Sequence, residues 1–156
     1  MTTKLQSEIK QTASFASVEQ EVYLNLLRTG DAISQSVEKL LRASDLSGTQ
    51  YNVLRILRGA GRQGLTCGET AERMVTHDPD ITRLLDRLEK RNLIARARGT
   101  RDRRVVTTKI TPEGLRLLAS LDKPVAELHR SLFGHVSQRD LKKLSSLLEK
   151  VRVREG

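Results

Sequence analysis

The chain has 156 residues, of which 37% are hydrophobic and 3% aromatic, and carries a formal net charge of +9. Its isoelectric point is near 10.2. Such a chain can build one domain or one two-lobed subunit around a modest core, and its charge points to an anionic partner: nucleic acid, an acidic protein or an anionic membrane surface. Tryptophan is absent, and no apolar run approaches the length that crosses a bilayer, so a membrane role and single-strand binding on aromatic platforms are set aside.

Cys67 is the single cysteine. It excludes an intrachain disulfide and suits a reducing, cytoplasmic setting. The opening residues show no apolar core of a secretory leader. They are polar and unpatterned over 1–16, which predicts a flexible, partly helical N-terminal arm. From Val18 the apolar positions Val22, Leu26, Ile33, Val37, Leu40 and Leu41 recur at helical spacing and predict a long helix ending near Arg42–Ala43. Ser47-Gly-Thr-Gln50 is a capping box, and the helix behind it is expected to bury Tyr51, Val53, Leu54 and Leu57. Thr66-Cys-Gly-Glu69 is a second box, opening a short helix through about Met74. Cys67 sits at its first position. A helix N-terminus lowers a thiol pKa, so a redox switch is conceivable there, but a small packed residue is the expected role.

Asp78-Pro79 reads as an N-cap followed by proline at N1, which starts a helix from Pro79 to Arg91. Ile81, Leu84, Leu85 and Leu88 fall on one face, and Arg83, Arg87 and Lys90 on the other. A short helix, a tight turn and a second helix with a basic face form a helix-turn-helix pattern. Beyond Asn92, a plausible C-cap, residues Ile94–Arg98 and Val105–Ile110 alternate around a turn at Gly99–Asp102, which predicts a β-hairpin. Between Arg83 and Arg104 the chain carries nine basic residues (Arg83, Arg87, Lys90, Arg91, Arg96, Arg98, Arg101, Arg103 and Arg104) against three acids, Asp86, Glu89 and Asp102. Solubility does not require that clustering. A duplex does, because a hairpin beside such a helix can lay arginine along the backbone or into a narrow, strongly negative minor groove.

Thr111-Pro112-Glu113 caps the next helix, with its apolar side at Leu115, Leu117, Leu118, Leu121, Val125, Leu128 and Leu132. Pro124 is expected to kink or divide it. Ser137-Gln-Arg-Asp140 opens the last helix, with Leu141, Leu144, Leu147, Leu148 and Val151 in one stripe. The first long helix and the last two carry more leucine stripe than a small monomer easily buries, so a helical dimer is favoured over a closed bundle. The fold class is mainly α with a small β-wing: a winged helix-turn-helix DNA-binding lobe plus a helical dimerisation lobe. The expected divisions are 1–16 for the arm, 17–45 with 112–156 for dimerisation, and 46–111 for DNA binding.

The run "ITRLLDRLEKRNLIARARGTRDRRVVTTKITPEG", residues 81–114, resembles the MarR (multiple antibiotic resistance regulator) family of winged helix-turn-helix regulators. Thr82 to Leu93 matches a recognition helix of the form TRLxDRLEKRGL except at Asn92. Asp102-Arg103-Arg104, then a strand, then Ile110-Thr111-Pro112-Glu113-Gly114 matches the family's wing, with Ile for Leu. The resemblance covers about residues 18–153. It implies a homodimeric transcriptional regulator, usually a repressor, on a pseudo-palindromic double-stranded site. It also implies that a small molecule, often an aromatic anion, can bind between the DNA-binding lobe and the dimerisation helices and weaken DNA binding, without assigning such a ligand to this chain. No cofactor is expected.

On this reading Thr82 and Arg83 contact bases from the first exposed turn of the recognition helix, and Asp80 can accept from a cytosine amine. Arg87 and Lys90 meet phosphates, and His77 lies beside them. In the wing Arg104 enters the minor groove, oriented by Asp102. Arg98, Arg101 and Arg103 complete the set. Val22, Leu26, Leu128, Leu132, Leu141, Leu144 and Leu148 are the expected dimer residues. His77, His129 and His135 show no metal-ligand spacing with Cys67 or the carboxylates. An enzyme is disfavoured, because no glycine-rich phosphate loop, nucleophile elbow or paired carboxylates occur. A protein–protein adaptor is the third alternative, and its binding would lack the steep salt dependence of phosphate contacts.

Overall fold

Side-chain caps punctuate the chain. Ser17, Ser47, Thr66, Thr111 and Ser137 each accept from the backbone N–H three residues on, which satisfies one of the orphan donors at each helix start. Ser47 and Thr66 form full capping boxes with Gln50 and Glu69. In the computed structural model, which describes residues 2–153, the element order is α1 (Lys4–Glu8), α2 (Val18–Leu41), α3 (Gly48–Ala60), α4 (Cys67–Arg73), α5 (Ile81–Lys90), β1 (Ile94–Arg98), β2 (Val106–Ile110), α6 (Pro112–Phe133) and α7 (Gln138–Arg152). Residue 1 of the expected arm and residues 154–156 of the expected dimerisation region lie outside the described residues.

One apolar cluster holds these elements together. Leu41 and Leu46 from the end of α2 and the turn after it meet Val53, Leu54 and Leu57 of α3, Leu84, Leu85 and Leu88 of α5, and Leu118, Leu121 and Val125 of α6. The α3 leucines and Leu88 are fully buried, so each contributes roughly 1.5–3 kcal/mol by leaving water. The core therefore runs through the junction between the two expected lobes. Tyr51 is only half-buried at its rim.

The hairpin pairs antiparallel in the register Ile94↔Ile110 to Arg98↔Val106. Leu65 adds a third edge: its N–H donates to the Thr108 carbonyl at 3.0 Å, and the Thr108 N–H donates back at 2.7 Å. The hairpin is thus fastened to the turn before α4, and the architecture is a winged helix-turn-helix.

Its other end is fastened at the turn after α5. Asn92 takes a positive φ of 55°. The Asn92 N–H donates to the Glu89 carbonyl at 2.8 Å, and the Leu93 N–H to the Leu88 carbonyl at 3.1 Å, the double closure of a Schellman cap. The buried Thr111 hydroxyl donates to the Asn92 carbonyl at 2.6 Å and accepts from the Gly114 N–H at 3.1 Å. Gly114 is required by close approach: a Cβ there would meet the Leu93 carbonyl oxygen, and would lie 2.7 Å from Ile110 Cγ1. Gly114→Ala is therefore expected to destabilise the fold by about 1–3 kcal/mol, since a backbone carbonyl cannot rotate aside. Urea denaturation checks this, and an unchanged midpoint would refute the packing.

Two expectations are corrected. The recognition-type helix begins at Ile81, not Pro79, and its cap is Asp80 rather than Asp78. Asp80 has φ −132° and ψ 62°, which is not helical, and its side chain accepts from the Arg83 N–H. Asp78 instead turns the preceding loop by accepting from the Asp80 N–H at 2.8 Å. The arm itself holds one short helix. Thr3 and Gln6 form a capping box for α1, Leu5 is 4% exposed, and Glu8 pairs with Arg28 of α2 at 2.9 Å. Second, Pro124 does not divide α6, which runs unbroken from Pro112 to Phe133.

Candidate nucleic-acid interface

The amphipathic pattern of α5 decides which of its residues meet solvent. With Leu84, Leu85 and Leu88 in the core, Thr82, Arg83, Arg87 and Lys90 are exposed. Arg83, Arg87 and Lys90 line a concavity of about 830 Å³ together with Arg42, Arg91 and the N-terminal turn of α3, Ser47 to Gln50. Its acids are Glu38, Asp45, Asp78 and Asp80. Asp78 and Asp80 already accept backbone N–H groups, and Glu38 accepts from the Gly48 N–H at 2.9 Å. His77 is exposed in the loop before α5.

The wing residues stand apart from that concavity, on the hairpin and its seven-residue loop between Arg98 and Val106. Arg101, Arg103 and Arg104 are exposed. Asp102 Oδ1 accepts from the Arg104 backbone N–H at 3.0 Å and its Nε at 3.2 Å, while Oδ2 accepts from Nη2 at 3.2 Å. These bonds hold the Asp102 carboxyl below its usual range, so it stays charged and orients the guanidinium. Arg104 is nonetheless 92% exposed at its side chain: the carboxylate aims it without covering it. The Arg98 guanidinium donates to the Arg103 carbonyl at 3.1 Å, which closes the loop on itself.

Of the nine basic residues in this stretch, Arg98 and Arg104 are bonded within the wing, and Arg96 and Arg91 are engaged by other elements. Arg96, on β1, grips α5. Its Nε and backbone N–H donate to Glu89 Oε2 at 2.9 and 3.1 Å, and its Nη2 donates to Asp86 Oδ1 at 2.5 Å. Arg91 donates to two backbone carbonyls beyond α2. No partner for Arg96 is visible in the sequence, although Asp86 and Glu89 stand three apart on one helical face. Hydrogen bonding from Arg96 lowers the Glu89 carboxyl below its ordinary range. A carboxylate depressed in the folded state contributes stability above its unfolded pKa, near 4.3, and loses it as pH falls through the folded value. Thermal melts of wild type and Glu89→Gln should therefore differ at neutral pH and converge on acidification below about pH 4. A gap that persists at low pH would show that Glu89 acts other than as a charged partner of Arg96.

The expected dimer residues divide by exposure. Val22, Leu26 and Leu144 are exposed, whereas Leu128, Leu132, Leu141 and Leu148 are half-buried. Tyr23, Leu27, Leu147 and Val151 extend the exposed apolar surface. Leu132, Leu141 and Leu144 also line a cleft of about 440 Å³ with Ile33, Phe133 and Val136. A further cleft, of about 730 Å³, opens between α2, α3 and α6 and is lined by Ile33, Val37, Tyr51, Arg55, Ile56 and His129, among others. Among the described residues no group of three or more His, Cys, Asp and Glu is placed to hold a metal, and no helix is long and apolar enough to cross a membrane. Cys67 is half-buried.

Residues 46–106 match the model of the MarR family. The chain is 40% identical to a MarR transcription factor of known structure from Planctomyces limnophilus, over 87% of this chain and 98% of that one, with a TM-score of 0.68. It is 36% identical over 85 residues to the HTH-type transcriptional repressor MdtR of Bacillus subtilis (strain 168), a match spanning 53% of this chain and 55% of the repressor's length. The fold also matches that of S. aureus MepR solved with DNA, at TM-score 0.75 and 24% identity over 83% of this chain and 95% of that one.

Proposed function

The chain belongs to the MarR family of transcription regulators, and from that premise we propose that it is a repressor that binds a pseudo-palindromic double-stranded DNA site as a homodimer. The observation that carries this reading is the division of α5: three leucines in the core, and Thr82, Arg83, Arg87 and Lys90 exposed, the three cations lining a surface concavity. We assign Thr82 and Arg83 to base edges in the major groove, Arg87 and Lys90 to phosphates, and Arg104 to the adjacent minor groove, with Arg101 and Arg103 on flanking phosphates. His77 lies beside the same groove. Asp80 serves first as a helix cap, and only its second oxygen remains for a cytosine amine.

In this account residues 46–111 bind DNA, and residues 17–45 with 112–156 dimerise. The exposed stripe of Val22, Leu26 and Leu144, with Tyr23, Leu27, Leu147 and Val151, supports the second assignment. An apolar surface of that extent along two helices asks for a partner, and a two-fold operator asks for two recognition helices about one turn apart. The cleft between α2, α3 and α6 suits a small aromatic acid. Arg55 supplies a cation above the Tyr51 ring at 6.0 Å from its centroid, and Ile33, Val37 and Ile56 supply apolar walls. A ligand wedged there would alter how α3 sits on α2 and shift the dimer away from its DNA-bound spacing.

Selection of binding sites from a random duplex pool tests the reading. Two inverted half-sites centred about 10 base pairs apart are expected, with release by members of a phenolic and aromatic carboxylate panel. Enrichment of no sequence, or of a single unrepeated half-site, would overturn the dimeric-repressor assignment.

A further inference from the structure

Arg91 is the C-cap residue of α5, and its side chain reaches 46 residues back along the chain. Nη1 donates to the Asp45 carbonyl at 2.5 Å, and Nη2 to the Ser44 carbonyl at 3.0 Å. Those carbonyls close the single turn of 3-10 helix that continues α2, where Asp45 takes a left-handed φ of 51° and donates its N–H to the Arg42 carbonyl. The end of a helix presents unpartnered carbonyls with partial negative charge. A planar guanidinium can engage two of them in a fixed orientation, which a lysine ammonium cannot. Arg91 therefore joins the C-terminal end of the recognition helix to the C-terminal end of α2.

The rest of α5 is fixed within the DNA-binding lobe: Asp80 caps its start, the three leucines fill its underside, and Arg96 clasps its flank. Arg91 adds a directed polar link from its end to the helix whose other half carries Val22 and Leu26, beside the apolar packing of Leu41 and Leu46 on the α5 leucines. We propose that Arg91 is a positioning residue that sets the spacing of the two recognition helices in the dimer by tying each α5 to its own α2, and that it does not contact DNA. This rests on the dimeric reading above. The 24 residues of α2 span about 36 Å, so a small change of angle at the dimer stripe becomes a displacement at the Arg91 tie.

The test uses the full chain and three duplexes: the selected operator, the same half-sites with one base pair added between them, and one with a base pair removed. Wild type should prefer the selected spacing by roughly 5–150-fold, the ordinary range of coupling between two sites. Arg91→Ala should bind all three with nearly equal affinity, while its affinity for an isolated half-site stays at the wild-type value. Arg91→Lys, which keeps the charge and loses the fork, should resemble Arg91→Ala. The half-site measurement guards against misfolding, because a merely destabilised protein loses half-site binding and keeps its spacing ratio. A wild-type ratio in Arg91→Ala overturns the proposal. So does a uniform loss on every duplex with a salt slope shallower by about 0.9, which would make Arg91 a phosphate contact. If wild type itself shows no spacing preference, the dimeric reading fails and this inference goes with it.

Discussion

Leu144→Asp is expected to turn the protein into a monomer and to weaken binding to the full operator by about 10²–10⁴-fold. Leu144 is 44% exposed, so the carboxylate costs the isolated subunit little. In the proposed dimer it would sit unpaired within an apolar seam beside Leu147, and burying an unpaired charge is costly enough to open an interface. Operator affinity falls because the second half-site is then no longer held at the millimolar effective concentration that a tethered subunit provides. Half-site affinity should be unchanged, and Leu26→Asp should reproduce the effect from α2. Sedimentation and operator titration together check this. A monomeric variant with full operator affinity would remove the dimer from the account.

Arg83→Ala is expected to relax the selected site at one base pair in each half, with a loss of roughly 1–3 kcal/mol of discrimination there. Arg83 stands in the first turn of α5, and the Asp80 cap fixes the backbone from which it projects by accepting its N–H at 3.1 Å. A guanidinium so placed can take guanine O6 and N7 together. The competing outcome has its own signature. If Arg83 meets only phosphate, the variant weakens on every sequence alike, and its salt slope falls by about 0.9.

Much of the fold was legible because the chain punctuates itself. Ser47 with Gln50, Thr66 with Glu69, and Thr111 with Pro112 mark three helix starts by chemistry that is local in sequence, and the leucine spacing of α5 shows which face goes inward. The start of α5 was misplaced because Asp78-Pro79-Asp80 offers two caps, and only the backbone angles of Asp80 choose between them. The bounds of the short α1 are not legible in the partly helical arm, although Thr3 and Gln6 spell a capping box, because a single buried leucine makes no stripe. Pro124 does not divide α6, because packing on both sides of it, at Leu121 and Val125, holds the helix together across the missing hydrogen bond.

The site was legible as a count of charge and illegible as a set of partners. Nine basic residues in one stretch announce an anionic ligand, but nothing local distinguishes Arg83, which is free, from Arg96, which Glu89 and Asp86 engage, or from Arg91, whose carbonyl partners lie 46 residues away. Pairings of that kind depend on which helix ends the core brings together. The cleft holding Tyr51, Arg55 and His129 is hidden from the sequence for the same reason, since α2, α3 and α6 each supply part of it.

The central claim, sequence-specific duplex binding through α5 and the wing, is tested most directly by titrating affinity against salt on the selected operator and on a scrambled duplex of equal length. The operator is expected to bind roughly 10³–10⁷-fold more tightly at physiological salt, with affinity on both duplexes falling steeply at about 0.9 log units per log unit of salt for each phosphate neutralised. Arg104→Ala should lower operator affinity while leaving that of the scrambled duplex nearly unchanged. Equal affinity for the two duplexes would reduce the basic face to non-specific association, and a flat salt dependence would contradict the interface altogether.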